Sequence, residues 1–284
     1  MPGFCPALDL SATPMTFTDA KQRFSTRVAD YVRYRPGYPS AVRDVLRTEC
    51  GLRPGHVIAD IGSGTGFLSE LFLKNGNRVL GIEPNEEMRQ AGEEYLASFD
   101  GFTSVNGSAE ATTLDDFSVD FVATGQAFHW FDQTAARREF SRILKPTGWV
   151  VVVWNERRTD ANPFFREYEN ILRKFGTDYE RVKESYPTED HMREFFGPSP
   201  YASRSLPNSQ ELDFEGLAGR LRSSSYIPAP DAPNFALMMA ELRRIFDAHN
   251  QDGRVRLEYS THIYFGRLNA SLDSPAITQD KKPA

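Results

Sequence analysis

The sequence predicts an α/β fold, a parallel sheet covered by helices on both faces. Three observations carry this. Short apolar runs alternate with segments of helical period through residues 57–154, the pattern of repeated strand and helix units. The first run leads into a loop of closely spaced glycines. The final run, 255–265, has period two, with Val255, Leu257, Tyr259, Thr261, Ile263 and Phe265 on one face and Arg256, Glu258, Ser260, His262 and Tyr264 on the other. One side of that strand is expected to be wet.

In chain order, the first strand covers 57–61 and is entered through Pro54 and Gly55. A helix follows with Phe67, Leu68, Leu71 and Phe72 on one face and Gly76 as its stop. The second strand, 78–83, ends at Pro84 and Asn85. The next helix opens on Glu86 and Glu87, where the helix dipole favours anions, and buries Met88, Ala91 and Tyr95. Residues 102–106 and 119–124 read as the third and fourth strands. A helix from near Asp132 turns Ala136, Phe140, Ile143 and Leu144 inward and ends at Lys145-Pro146. The most β-prone run, 149–154, is predicted to be the central fifth strand. Beyond Asn155 the alternation stops. Asn162 before Pro163 is an N-cap with proline in the first turn, followed by Phe165, Tyr168, Ile171, Leu172 and Phe175 at helical spacing. A short helix over 188–196 closed by Gly197, a strand over 201–206 and helices over 214–224 and 235–250 complete the prediction.

The 284 residues include 33 basic and 39 acidic side chains, a formal charge of -6, with no basic block, so no nucleic-acid partner is expected. Cys5 and Cys50 lie far apart without metal-ligand spacing, and neither a disulfide framework nor a metal site is expected from them. The run 149–154 is far shorter than the roughly 20 residues a membrane-spanning helix requires. The opening MPGFCPALDL has neither a basic leader nor a long apolar stretch. A cytoplasmic protein with no membrane partner is the expectation. Residues 1–20 and 270–284, rich in small, polar and proline residues, read as flexible tails around one domain over 21–269.

The sharpest local signal is Asp60-Ile61-Gly62-Ser63-Gly64-Thr65-Gly66. Glycines let the backbone turn tightly and approach a ligand, while the start of the following helix offers N–H groups. Glu83, at the end of the second strand, can accept hydrogen bonds from both hydroxyls of a ribose. A dinucleotide fingerprint is G-x-G-x-x-G around a pyrophosphate. Here the spacing is G-x-G-x-G with Asp60 before it, which repels a pyrophosphate and suits a cationic or zwitterionic ligand. A nicotinamide-dependent oxidoreductase is the alternative that this spacing disfavours.

With Asp60, Gly62, Gly64 and Gly66 in the order D-x-G-x-G-x-G, the chain resembles the class I S-adenosylmethionine-dependent methyltransferases, type 11-like, over roughly 24–267. Three further segments are similar to the trans-aconitate methyltransferase-like subgroup: Arg35-Pro36-Gly37-Tyr38-Pro39, Gly107-Ser108-Ala109-Glu110 and Gly125-Gln126-Ala127-Phe128-His129-Trp130-Phe131. The resemblance implies a Rossmann-like, doubly wound seven-stranded sheet of order 3-2-1-4-5-7-6, strand 7 antiparallel. It also implies a helical cap built from insertions near 156–200 and 214–252. S-adenosylmethionine is the implied cofactor, and a small molecule, a carboxylate among the candidates, the implied acceptor; no metal is required. Asp60 and Gly62 would lie beside the methionine part, Glu83 at the ribose, and Ala109 and Glu110 at the adenine. Ser63, Gly64, Gly66 and Pro84 complete that set. Ser108 stands where many relatives carry an aspartate that receives the adenine amino group, and serine has less reach.

Ligands in open α/β sheets bind outside the carboxyl ends of the strands. That places Gln126 beside the cofactor and His129 and Trp130 beside the acceptor. His129 reads either as a general base, with an ordinary pKa of about 6.5, or as an orienting group. Tyr31, Tyr34 and Arg35 read as a lid, and Arg35 suits a carboxylate of the cofactor or of the acceptor. Arg222, Ser223 and Tyr226, in the second insertion, are candidates to hold an anionic or polar acceptor. These residues do not separate an active transferase from a cofactor-binding protein without transfer activity, nor do they indicate an oligomeric state.

Overall fold

A computed structural model describes residues 28–160 and 162–268; the two expected tails and Cys5 lie outside the described residues. Seven strands form one sheet: β1 (Val57–Ile61), β2 (Arg78–Ile82), β3 (Phe102–Val105), β4 (Val119–Gly125), β5 (Leu144–Arg157), β6 (Tyr201–Leu212) and β7 (Val255–Gly266). Their order is β3-β2-β1-β4-β5-β7-β6. The first five pair in parallel, and β7 runs antiparallel to both β5 and β6. This is the predicted topology.

Among the described residues ten α-helices surround it: α1 (Val28–Tyr34), α2 (Ala41–Cys50), α3 (Phe67–Leu73), α4 (Glu86–Tyr95), α5 (Gln133–Ile143), α6 (Pro163–Phe175), α7 (Tyr179–Glu184), α8 (Glu189–Phe196), α9 (Phe214–Arg222) and α10 (Phe235–His249). Alternate strand residues feed two cores. Ile58, Phe121 and Val151 pack under α2 and α3, while Ala59, Val122 and Val152 pack under α5 and α8. Burial on both faces explains the continuous valine run of β5. A third core, separate from the sheet's two, joins α6, α7, α9 and α10 to the first half of β7 and makes the cap. Helix α8 fills the sheet's core through Met192, Phe195 and Phe196, so the first insertion contributes to the cap only up to α7.

Several boundaries differ from expectation. Leu144 opens β5 instead of closing α5, and the strand crosses Pro146 and Gly148 with a register shift against β4. The middle strand of the seven is β4, not β5. Strand β6 continues to Leu212 through Pro207, which an edge strand tolerates because only one side of it must donate. On β7 the second face is wet only in its first part: Arg256 is exposed, whereas Tyr264 is buried. No helix among the described residues is long and apolar enough to cross a membrane.

Candidate active site

The carboxyl ends of β1, β2 and β4 open into a cleft with about 690 Å³ of free space, its mouth included. Its floor is the glycine loop between β1 and α3. Gly62 has φ +66°, and a Cβ there would lie 2.6 Å from Cβ of Ala127, so a side chain is barred by both backbone and neighbour. Four of the loop's five N–H groups are engaged within the protein. Those of Gly62 and Ser63 donate to the carbonyl of Ile82 at 2.8 and 3.1 Å, that of Gly64 to Oε2 of Glu83 at 3.0 Å, and that of Gly66 to the carbonyl of Ser63 at 2.9 Å.

Glu83 is 9% exposed and held by two backbone donors, Gly64 on Oε2 and Asn85 on Oε1 at 2.9 Å. Burial raises its pKa, opposed by those two hydrogen bonds and by Arg89. Each carboxylate oxygen retains a further lone pair for a ligand. Beside it, Pro84, Met88, Ala109 and Phe131 give the cleft an apolar wall.

Tyr31, Gln126 and Trp130 line this cleft and also a second space of about 380 Å³, the throat, which adds Arg35, His129 and Trp154. Arg35, Gln126, Tyr186 and Tyr226 in turn line both the throat and a far chamber of about 520 Å³ under the cap. Gln126, common to all three, has φ +59°, and its Oε1 accepts from the N–H of Asn155 at 2.7 Å. Such a conformation in a residue other than glycine is held by its surroundings and often marks a functional position.

The comparisons with known proteins agree with this geometry. Residues 59–152 match the methyltransferase domain model. The chain is 28% identical to an uncharacterized methyltransferase-like protein of Schizosaccharomyces pombe over 85% of its own length and 93% of that protein's. It is 35% identical to an uncharacterized methyltransferase of Mycobacterium tuberculosis over 56% of this chain and 62% of that one. Among solved structures, a candidate type II methyltransferase from Anaeromyxobacter dehalogenans superimposes with a TM-score of 0.61 at 22% identity, covering 83% of this chain and 98% of that one. Residues 59–152 carry the likeness to a methyltransferase domain, and the chain has the fold of solved methyltransferases.

Of the residues expected at the cofactor, Gly62, Gly64, Glu83, Pro84, Ala109, Glu110 and Gln126 line the cleft. Glu110 is also tied to the start of α5, its Oε1 accepting from the N–H of Asp132 at 3.0 Å. Ser63 and Gly66 shape the loop without lining the cleft. Asp60 sits beneath it: fully buried, it accepts from Oγ of Ser69 at 2.7 Å through Oδ2, while Oδ1 has no partner. Burial pushes Asp60 up to about 7, against the Ser69 hydrogen bonds, with Glu83 adding to the rise. Arg35 lies on the acceptor side, in throat and far chamber, where Nη2 donates to the carbonyl of Ser223 at 2.8 Å.

His129 lies in the throat with its ring 4.5 Å from that of Trp130 and 5.2 Å from that of Trp154; its Nδ1 is enclosed and unpartnered. Burial, and then the charge of Arg35, push this imidazole down to about 3. Of the three cap candidates, only Tyr226 reaches the cavities. Ser223 is buried and returns its Oγ to the carbonyl of Arg220 at 2.7 Å. Arg222 is corrected: it pairs with Asp30 and Glu215, both at 2.9 Å, because its position on α9 turns it toward α1 and solvent. The basic residue that α9 turns inward is Arg220. Arg157 and Lys183 of the far chamber, and Met88 of the cleft, were also missed as site residues.

Proposed function

We propose that this methyltransferase uses S-adenosylmethionine and methylates a small-molecule acceptor, with carboxylates among the groups it takes. One observation carries the cofactor reading. Four of the glycine loop's N–H groups are engaged within the protein, and that of Gly64 fixes Glu83, so a positioned carboxylate is presented to a ribose diol where a dinucleotide loop would meet a pyrophosphate. The residues fit the whole cofactor. The cleft volume lies in the range of small-molecule sites, and beneath the loop Oδ1 of Asp60 is left without a partner. When bound, S-adenosylmethionine supplies an electrophilic methyl group on a positively charged sulfur.

The chain's own part is to bind, align and exclude water. Glu83 receives the ribose hydroxyls, and Pro84, Met88 and Ala109 cover apolar surface. Tyr31 and Trp130, shared by cleft and throat, border the path between donor and acceptor. Holding two reactants in line can supply about 7 to 11 kcal/mol of the barrier. The enclosed acceptor spaces suit a small molecule, and their basic lining, with the resemblance to trans-aconitate methyltransferase-like proteins, favours a carboxylate.

Calorimetry tests the cofactor: saturable binding of S-adenosylhomocysteine and none of NAD is expected, and the reverse overturns the assignment. Transfer of labelled methyl to a panel of acids tests activity. Glu83→Ala is expected to lose about 1.5 to 3 kcal/mol of cofactor binding, the worth of hydrogen bonds to a charged acceptor. Unchanged affinity in a folded variant removes Glu83 from the site.

His129 is expected to orient the acceptor. An imidazole that stays neutral down to about pH 3 is a poor proton acceptor at pH 7. His129→Asn should therefore lower kcat/KM by no more than about tenfold, the scale of one neutral hydrogen bond, with a profile parallel to wild type from pH 6 to 9. A loss of about 100-fold or more that recovers at high pH would make His129 a general base instead.

A further inference from the structure

Arg220 lies on the inner side of α9 and is 6% exposed. A guanidinium does not shed its proton in a protein, and an enclosed cation is costly unless an anion pairs with it. Arg220 has three hydroxyl contacts instead, to Oη of Tyr259 at 3.3 Å, Oγ of Ser224 at 3.3 Å and Oγ of Ser223 at 3.5 Å. All are at the long limit of hydrogen bonding. The carboxylates nearby are engaged elsewhere. Glu169, outside the lining of the far chamber, binds Arg157 and Lys183, each at 2.9 Å, and Glu156, which lines it, contacts His262 at 3.0 Å.

Arg35 is in the same condition. Its contacts are the carbonyl of Ser223 and the ring of Tyr31, and its Nε is enclosed without an acceptor. Nε1 of Trp154, in the throat, is a second enclosed donor without an acceptor. Among the described residues, two guanidinium groups without a counter-ion and two unmet donors thus belong to side chains that line two adjoining spaces. Buried polar groups left unpaired in a native fold call for an explanation, and here the missing partner is a negatively charged oxygen.

We propose that the acceptor has two heads: the reacting end lies in the throat, and a separate oxyanion, a carboxylate or a phosphate, sits on Arg220 in the far chamber. Which end reacts rests on the methyltransferase reading; the anion site does not. The field of the chamber agrees. Burial and then the charge of Arg220 lower the pKa of Arg35, a repulsion that an intervening anion would relieve. Burial pushes the Tyr226 phenol up, yet Arg157 and Arg220 outweigh it and hold it below its ordinary value.

The test is calorimetry and thermal melting of the full chain with inorganic phosphate and with succinate, at constant ionic strength. Wild type is expected to bind at least one probe at a single site and to melt higher in its presence. The tighter probe identifies the head group as phosphate or carboxylate. Arg220→Met should weaken that binding tenfold or more, Arg220→Lys less, and Arg222→Met not at all. Arg220→Met should also melt no lower than wild type without probe, because it removes an unpaired buried cation. Equal probe affinity in Arg220→Met, no saturation of wild type by either probe, or a variant that melts lower or fails to fold would each overturn the proposal; the last outcome would make Arg220 a structural cation. S-adenosylhomocysteine affinity should stay within twofold in Arg220→Met. Its failure to bind wild type would sink the methyltransferase reading and leave the anion result standing.

Discussion

Asp60→Asn is expected to stabilise the protein at pH 8 by up to about 4 kcal/mol while leaving it nearly unchanged at pH 4, the scale of a three-unit pKa difference. Burial lifts this carboxyl from its ordinary 3.8 to about 7, so the folded chain keeps a proton that the unfolded chain releases. The stability Asp60 contributes is therefore present in full below about pH 4 and is lost as pH rises through about 7. Asparagine is neutral throughout, fills the same volume and can still accept from Ser69. The gap between the two proteins should open between pH 4 and 7 and then level off. Melting curves across that range check it, and a constant gap would mean that Asp60 ionises normally. Because Asp60 lies beneath the loop and does not line the cleft, its loss should weaken cofactor binding less than Glu83→Ala does.

Gly62→Ala should cost about 2 to 4 kcal/mol of stability and abolish measurable cofactor binding. A left-handed backbone costs an L-residue about 1 to 2 kcal/mol, and overpacking a filled site costs about 1 to 3. The atom that the new methyl meets is Cβ of Ala127, which has no rotamer by which to withdraw. The loop must move instead, which breaks the paired bonds of Gly62 and Ser63 to Ile82 and shifts Gly64 away from Glu83. Denaturant unfolding and titration with S-adenosylhomocysteine measure the two effects. Wild-type affinity would show that the loop yields without disturbing the carboxylate.

Strands β1, β2 and β4 were legible because each is a short apolar run closed by glycine or proline. The lining of the cleft was legible for the same reason: its residues stand at strand ends, in sequence order. The far chamber was not. Arg157, Lys183 and Arg220 come from a strand, a short helix and the cap, and only tertiary folding brings them to one chamber. The choice between Arg220 and Arg222 was readable in principle, since Leu217 and Leu221 set the buried phase of α9 and Arg220, not Arg222, lies three residues beyond Leu217. Asp60 shows the opposite limit. Its motif marks it as a cofactor neighbour, but the alternation of β1 turns its side chain toward Ser69 of α3, beneath the loop.

Helix α1 is fastened in two places. Just past its end, the carbonyls of Tyr34 and Gly37 accept from Gln210 and from Asn155 and Asn208, which ties it to β5 and β6. Along its length it is clasped by α9: the ring of Tyr34 occupies the space where Gly219 lacks a side chain, Arg222 reaches Asp30, and Arg35 is bound to Ser223. Tyr31 on this helix borders the cleft and the throat, and Arg35 borders the throat and the far chamber. Any movement of α1 would therefore widen cleft, throat and far chamber together, and exchange at the two proposed ligand sites is expected to be coupled through it.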